Sequence, residues 1–103
     1  MSGLPQFDPV IHAPGRLQIC AVLSAVIEAE FATVREAIEV SDSVLSKHVK
    51  LLEDAGYLAV RKATVASRVR TWLSLTPAGR KAFAAHTREL TRLAGLAERG
   101  AAE

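Results

Sequence analysis

The hydrophobic period of the chain changes twice, and this limits the folds it can adopt. Apolar residues recur at helical spacing up to Gly56, alternate with polar residues between Leu58 and Leu75, and return to helical spacing after Pro77. Apolar faces repeat about every 3.6 residues in helices and every two residues in strands. The 103 residues therefore predict one domain, with helices first, then an antiparallel strand pair, then a last helix.

Two helices are predicted in the first forty residues. The first starts at Pro14, continues to about Ile27, and is apolar nearly all round, so burial on more than one side is expected. Residues 30–32 are predicted to form a very short strand. Thr33 and Glu36 have the spacing of a capping box, which predicts that a short second helix opens there.

The third predicted helix is amphipathic. Ser41 and Asp42 are suitable N-cap residues, and Gly56 can end the helix in a left-handed conformation. Its apolar side carries Leu45, Val49 and Leu52, and its opposite side carries Ser43, Ser46, Lys47, Lys50 and Asp54. Two short helices joined by a short turn, the second with a polar outer face, predict a helix-turn-helix.

Strand periodicity follows, and then a long helix. The connection between the strands, residues 62–68, lacks Gly and Pro, so a tight two-residue turn is not expected. Thr76 and Pro77 are the cap and first residue of a helix that continues to roughly Glu98. Its apolar residues form a short seam typical of a coiled coil: Phe83, His86, Leu90, Leu93 and Ala97.

Charge is segregated along the chain. Residues 1–42 contain two basic and six acidic residues, a net charge of −4, whereas residues 43–81 contain eight basic and two acidic residues, a net charge of +6. The whole chain carries only +2. A basic middle third in a nearly neutral chain predicts a surface that binds a polyanion.

The apolar and cysteine content excludes two classes of protein. The longest uncharged run, residues 17–27, has 11 residues, whereas a membrane-spanning helix needs roughly 20. We therefore expect a buried core helix there. Cys20 is the only cysteine, so no intrachain disulfide can form, and this usage fits a reducing cytosol. We expect Cys20 to be an inert core thiol.

Two motifs in the middle of the chain resemble those of bacterial regulators. SKHVK at residues 46–50, followed by Leu52 and by AGYL at residues 55–58, is similar to the recognition-helix signature of the ArsR-like and MarR-like families. LTPAGR at residues 75–80 resembles the strand-to-helix junction common in MarR-like proteins. The two motifs stand in the order expected of these families.

The N-terminal sequence extends this resemblance to nearly the whole chain. DPVIH at residues 8–12, with Pro14 and with RL at residues 16–17, is similar to the start of a small single-domain subfamily of these regulators. The resemblance implies a mainly α fold with a small β-hairpin, a winged helix-turn-helix that dimerises through its N- and C-terminal helices. The implied parts are an N-terminal arm (1–13), the helix-turn-helix (33–56), a wing hairpin (57–75) and a dimerisation helix (77–98).

The function implied by the resemblance is transcription regulation, by a homodimer that binds double-stranded DNA at a palindromic operator. Short polar and long basic side chains can read base edges in the major groove. We expect base contacts from Ser43, Ser46 and Lys47, a thymine methyl contact from Val44, and a phosphate contact from Lys50. The basic wing would carry Arg61, Lys62, Arg68 and Arg70. The dimer interface would include Leu17, Phe83, Leu90 and Leu93.

Two residues of this set have two readings each. His48 can contact a DNA phosphate or make a structural hydrogen bond at the edge of the core. MarR-like wings usually carry an aspartate that braces the arginine at the tip, but here residues 66–68 read ASR and no aspartate follows Asp54. Arg68 can therefore enter the minor groove or make a looser phosphate contact.

No cofactor, metal site or catalytic activity is expected. The cysteine pair that ArsR-like metal sensors carry in the helix-turn-helix is absent. His86 and Glu89 lie one turn apart and could join Asp8 or His12 across a dimer, but we interpret His86 as a surface residue. The sequence also lacks a nucleophile elbow, a glycine-rich phosphate loop and a paired carboxylate constellation.

A second function remains open from the sequence, a winged helix that binds another protein and not DNA. That function predicts a neutral or apolar outer face on the third helix, in place of the serines and lysines found there. For the DNA-binding function we expect a cytoplasmic protein associated with the nucleoid. An unidentified small-molecule effector would have to bind at the dimer interface or the wing.

Overall fold

The computed structural model describes residues 6–102, and within them five helices surround a small sheet. The elements are α1 (Pro9–His12), α2 (Pro14–Ser24), β1 (Ala29–Glu30), α3 (Phe31–Ile38), α4 (Asp42–Asp54), β2 (Leu58–Val65), β3 (Arg68–Leu75) and α5 (Pro77–Ala102). The three antiparallel strands are ordered β1-β3-β2. This arrangement confirms the predicted fold class, mainly helical with a small hairpin.

The end of α2 differs from the prediction. The helix ends at Ser24, three residues before Ile27, whose side chain is 89% exposed. The guanidinium of Arg80 donates hydrogen bonds to the carbonyl oxygens of Ser24 (3.4 Å) and Val26 (2.8 Å). Carbonyls at a helix end need partners from outside the helix. A residue more than fifty positions away thus satisfies this end, which local periodicity cannot reveal.

The start of α3 also differs. The helix begins at Phe31, directly after β1, and Thr33 lies inside it, so the predicted capping box is wrong. Its N-cap is Glu30, whose side chain makes no capping hydrogen bond. Pairing of Ala29 with Leu73 and of Glu30 with Trp72 holds this segment extended up to the first helical residue. Tertiary pairing therefore sets the boundary in place of a local cap.

The start and end of α4 follow the prediction. Ser41 Oγ accepts a hydrogen bond from the Val44 amide at 3.2 Å, and Gly56 after the helix has a φ of +81°. Leu45, Val49 and Leu52 are buried. They join the core formed by Ile11, Ile19, Cys20, Leu23, Val34, Ile38, Leu58, Leu73 and Leu75.

Burial raises the pKa of the Cys20 thiol to about 11, with a further contribution from the charge of Asp8, so the thiol stays protonated.

The turn of the hairpin contradicts the sequence prediction. Val65 pairs with Arg68, which leaves only Ala66 and Ser67 in the turn. Their φ values are +50° and +64°, the left-handed geometry of a two-residue type I′ turn. The expectation of a longer connection was wrong because the twist of the paired strands favours this turn even without Gly or Asn.

Residues 6–12 are docked between α5 and the end of α4. Asp8 Oδ1 caps α1 by accepting from the amides of Val10 and Ile11, and its other carboxylate oxygen accepts from the Tyr57 hydroxyl. The His86 side chain is only 1% exposed, so its interpretation as a surface residue was wrong. Residues 1–5 of the predicted arm lie outside the described residues.

The partners of the His86 ring favour its neutral form. The Asp8 amide donates to Nδ1 of His86 at 3.4 Å, so the ring hydrogen lies on Nε2. Nε2 in turn lies 3.3 Å from Nδ1 of His12, which stacks on Phe7 at a centroid distance of 4.2 Å. A proton on Nδ1 of His86 would break the contact with the Asp8 amide.

Acidification from about pH 7.5 to about pH 5 is expected to destabilise the fold in part through His86. Burial, and next the nearby His12, lower the pKa of His86 below 6.5, although the Asp8 charge opposes this. The unfolded chain therefore binds the proton more tightly. The stabilising contribution is complete above about pH 6.5 and is lost as the pH falls through the lowered pKa.

Urea midpoints at both pH values, compared between wild type and His86→Gln, measure this contribution. The pKa of His48 is also lowered, by burial and by Arg16, but that group is present in both proteins. We expect a smaller pH effect in the variant. Equal losses of stability in the two proteins would show that His86 does not titrate in this way.

Candidate nucleic-acid interface

The outer face of α4 is open to solvent. Helical periodicity turns Leu45, Val49 and Leu52 into the core, and the opposite side chains, those of Ser43, Ser46, Lys47 and Lys50, are exposed. Val44 is exposed on the first turn and Leu51 lies beside Lys47 further along. The sequence did not single out Leu51, whose 48% exposure is unusual for a leucine. The face thus offers hydroxyls and ammonium groups with two apolar contacts.

The two lysines of this face differ in their partners. Lys50 Nζ lies 3.0 Å from Asp54 Oδ1 one turn later, and this hydrogen bond raises the pKa of Lys50. Lys47 has no carboxylate within 4.0 Å among residues 6–102. Lys47 is therefore the lysine of α4 whose charge is most available to an anionic ligand.

A groove separates α4 from the hairpin, and we call it the α4–β2 groove. It has a volume of about 340 Å³. Its lining residues are Phe31, Ser46, Val49, Lys50, Glu53, Val60, Lys62 and Thr71. The strand register pairs Lys62 with Thr71 and Val60 with Leu73, so Lys62 lies on the sheet face that turns toward α4. The groove brings Lys62 and Lys50 to the same side of the molecule.

The other basic residues of the hairpin lie on the opposite sheet face. Arg61 pairs with Trp72, so both side chains lie on one face of the sheet. Arg70 and Arg68 follow at every second residue of β3 and lie on that face too. The four basic residues that the sequence grouped together are thus divided, with Lys62 toward α4 and three arginines on the outer face. The sequence could not show this division because it depends on the strand register.

Two arginines of the outer face are already paired with carboxylates. Arg61 Nη2 lies 2.6 Å from Glu28 Oε1, and its guanidinium carbon is 5.3 Å from the ring centroid of Trp72. Arg70 Nη1 lies 2.9 Å from Glu30 Oε1. Within residues 6–102, neither Lys62 nor Arg68 has a carboxylate within 4.0 Å. Sequence reasoning missed both glutamates, whose signal was only their i, i+2 spacing.

His48 faces its own chain. Its ring is half-buried against Gly15, where an added Cβ would overlap Nε2 of His48. Its Nδ1 lies 3.4 Å from Nη1 of Arg16, whose Nε donates to the Val10 carbonyl. These contacts are those of a structural hydrogen bond, one of the two roles expected of His48, and the phosphate contact stays a prediction. They also connect α4 with the N-terminal helices.

The residues predicted for a dimer interface occupy two regions. Leu17 and Phe83 are half-buried and pack against the core. Leu90 and Leu93 are half-buried further along α5, and Leu96 follows with 46% of its surface exposed. Only α1, α2 and β3 pack extensively on α5 within residues 6–102. In the second half of α5, Leu96 is therefore exposed, whereas Leu90 and Leu93 are only partly accessible.

Comparisons with known proteins identify this architecture. The model of a family described as a winged helix DNA-binding domain matches residues 16–94. The chain belongs to this family. By their order in a winged helix, α3 and α4 correspond to the helix-turn-helix, α4 to its second or recognition helix, and β2 and β3 to the wing. The winged-helix assignment rests on 79 of the 103 residues, from α2 through most of α5.

Individual known proteins are also similar to this chain. The uncharacterized protein MJ0432 of Methanocaldococcus jannaschii is 32% identical over 84 residues, which are 82% of this chain and 91% of that protein. A transcriptional regulator homologue from Pyrococcus horikoshii superposes with a TM-score of 0.78 at 23% identity, over 84% of this chain and 85% of that chain. A protein assigned to the MarR family of transcriptional regulators, from Enterococcus faecalis, superposes with a TM-score of 0.81 at 16% identity, over 99% of this chain and 100% of that chain. The two solved structures share the winged-helix fold.

Membrane-spanning helices and clusters of metal ligands are both absent from residues 6–102. None of the helices in residues 6–102 combines the length and hydropathy that a membrane span requires. In the same residues, no three His, Cys, Asp or Glu side chains are grouped as metal ligands would be. His12 and His86 approach each other, but their contact is a ring-to-ring hydrogen bond.

Proposed function

We propose that the protein is a transcriptional regulator that binds a palindromic site in double-stranded DNA as a homodimer. One observation carries the proposal: the recognition helix presents an unobstructed face of serines and lysines next to a groove that contains Lys62. An α-helix of this kind fits the major groove of B-DNA. The wing then lies beside the adjacent backbone.

We assign sequence reading to the first turns of α4. Ser43, Ser46 and Lys47 are exposed there and can donate to or accept from base edges, while Val44 can contact a thymine methyl group. Lys50 meets a phosphate, because its pairing with Asp54 directs it along the helix and away from the first turns. Base contacts set the sequence preference, and phosphate contacts set the register.

We assign the phosphate contacts of the wing to Lys62 and Arg68. Arg61 and Arg70 are already paired with carboxylates, whereas the charges of Lys62 and Arg68 have no such partner among the described residues. Arg68 directly follows the turn at Ala66 and Ser67, which places it at the tip of the hairpin. A small-molecule effector would act at the dimer interface or the wing, and the DNA target implies a position on the nucleoid.

The dimer that we propose joins two copies through α2 and the leucines of α5. In such a dimer, the two recognition helices lie about 34 Å apart, one turn of B-DNA, and read two half-sites. Symmetry of the protein then requires a palindrome. No catalytic step is part of this proposal.

Lys47→Ala is expected to weaken binding to the preferred DNA site by about 1–3 kcal/mol and to relax the preference at one base pair. Lys47 is exposed and has no carboxylate within 4.0 Å among residues 6–102, so its loss leaves the fold intact. Selection of duplex fragments by the purified wild-type protein defines the site. Fluorescence anisotropy then measures the affinity of the wild type and of Lys47→Ala for that site. Unchanged affinity and preference would contradict the assignment of Lys47 to a base.

Arg68→Ala is expected to weaken binding to all sequences alike. It should reduce the slope of log K against log salt by about 0.9, the value for one phosphate contact. Anisotropy titrations of a random duplex at several salt concentrations measure the slope. A loss of sequence preference without a change of slope would show that Arg68 contacts bases.

The same titrations distinguish DNA binding from a protein-interaction function. The exposed Leu51 and Val44 are the features of α4 that suit a protein partner. A protein-interaction module should show little salt-dependent binding to random DNA, whereas several phosphate contacts produce a steep dependence. A flat salt response in the wild type would contradict the proposed function.

A further inference from the structure

We propose that Glu28 and Glu30 limit how many arginines of the wing can bind DNA phosphates. In this role the two carboxylates are positioning residues that take the place of phosphate on Arg61 and Arg70. The inference rests on the proposed DNA-binding function. It assigns a role to two acidic residues that lie outside the recognition helix and outside the wing itself.

The strand register brings the four side chains onto one sheet face. β1 pairs with β3, and β3 pairs with β2, so that Glu30, Trp72 and Arg61 lie in one row across the sheet. Glu28 lies directly before β1, and its contact with Arg61 brings its carboxylate to the same side. The resulting contacts are the Arg61–Glu28 pair at 2.6 Å and the Arg70–Glu30 pair at 2.9 Å.

The exposure of these pairs allows exchange with a DNA phosphate. The side chains of Arg61 and Arg70 are 53% and 47% exposed, so each arginine can reach solvent on the side away from its glutamate. Exposed ion pairs are held weakly in water. A DNA phosphate offers a guanidinium two anionic oxygens, as a carboxylate does, so the arginine can pair with either group. Binding of DNA must therefore compete with the glutamate for each arginine.

The two ion pairs reduce the positive charge on the outer face of the wing. Its outer face carries Arg61, Arg68 and Arg70, and the two glutamates offset two of these three positive charges. Removal of one carboxylate would free one arginine for phosphate. Glu30 has the larger role, because Arg70 lies two residue pairs closer to the tip of the hairpin than Arg61. The carboxylates thereby keep affinity for random DNA low.

Glu30→Gln tests the proposal in the full chain. We expect the salt slope for a random duplex to become steeper by about 0.9, and affinity at about 0.1 M salt to rise roughly eightfold. The matched control is the double variant Glu30→Gln/Arg70→Ala, which loses the same carboxylate but has no arginine to release. Its slope should equal that of the wild type. Thermal melting of each variant shows that the fold is retained.

Two results would overturn the proposal. One is an unchanged slope in Glu30→Gln; the other is an equally steep slope in the double variant, which would show that the arginine is not involved. If the wild type itself shows no salt-dependent binding, the proposed function fails as well, and this outcome is recognised before any variant is compared.

The Arg61–Glu28 pair allows the same test to be made by tryptophan fluorescence. Trp72 is the only tryptophan of the chain, and the Arg61 guanidinium lies over its ring. Glu28→Gln should change the emission of Trp72 when DNA is added, because Arg61 leaves the ring for a phosphate. Emission that responds to DNA identically in Glu28→Gln and in Glu28→Gln/Arg61→Ala would contradict release of Arg61.

Discussion

Leu93→Lys is expected to convert the proposed homodimer into monomers and to lower affinity for a palindromic site by about 100-fold or more. Leu90 and Leu93 are half-buried in one chain, and Leu96 is exposed beside them. A lysine in this row would have to leave water when two copies associate, which is costly without a partner charge. Each monomer would then bind a single half-site.

Thr91→Lys is the matched control for this experiment. It adds the same charge two residues away on an exposed position of α5. Sedimentation velocity measures the oligomeric state, and anisotropy measures affinity for full sites and half-sites. We expect Thr91→Lys to stay dimeric. Dimers of Leu93→Lys with normal affinity for full sites would contradict an interface on this part of α5.

Gly79→Ala is expected to destabilise the fold by about 2–3 kcal/mol, as overpacking of a tight contact does. An added Cβ at Gly79 would overlap the backbone carbonyl oxygen of Tyr57. This contact lies where α5 starts against the end of the recognition helix. There the Thr76 hydroxyl donates to the Gly56 carbonyl at 2.6 Å and accepts from the Gly79 amide at 3.0 Å. The Tyr57 carbonyl oxygen itself accepts from the Thr76 amide at 3.1 Å, so it cannot move aside without breaking this bond.

Gly95→Ala in the same helix provides the control. Among residues 6–102 its Cβ would meet the side chain of Arg99 alone, at 3.5 Å, so the substitution adds helix propensity without overlap. We expect it to stabilise the protein by about 0.8 kcal/mol. Urea unfolding of both variants gives the two free energies. Gly79→Ala with wild-type stability would show that α5 can shift away from Tyr57.

Local patterns were sufficient to predict the recognition helix. The cap at Ser41, the stop at Gly56 and the buried row of Leu45, Val49 and Leu52 all depend on residues within a few positions of one another. Hairpin alternation and the start of α5 at Pro77 are local in the same sense. The exposed serines and lysines of the candidate site follow from the same helical period.

Features set by distant contacts could not be predicted in this way. Arg80 ends α2 from 54 to 56 positions away, and strand pairing starts α3. The charge partners of Arg61 and Arg70 depend on the order β1-β3-β2, which periodicity does not specify. His86 was taken for a surface residue because the segment that covers it, at Phe7 and Asp8, is nearly eighty residues away.

The turn at Ala66 and Ser67 has a consequence for the dynamics of the wing. Left-handed geometry costs a non-glycine residue about 1–2 kcal/mol, and two such residues adjoin at this turn. At the other end of the hairpin, Leu58 pairs with Leu75 inside the core. Amide hydrogen exchange should therefore follow a gradient, fastest near Val65 and Arg68 and slowest near Leu58. The end that we propose to contact DNA opens most readily, while its base stays closed.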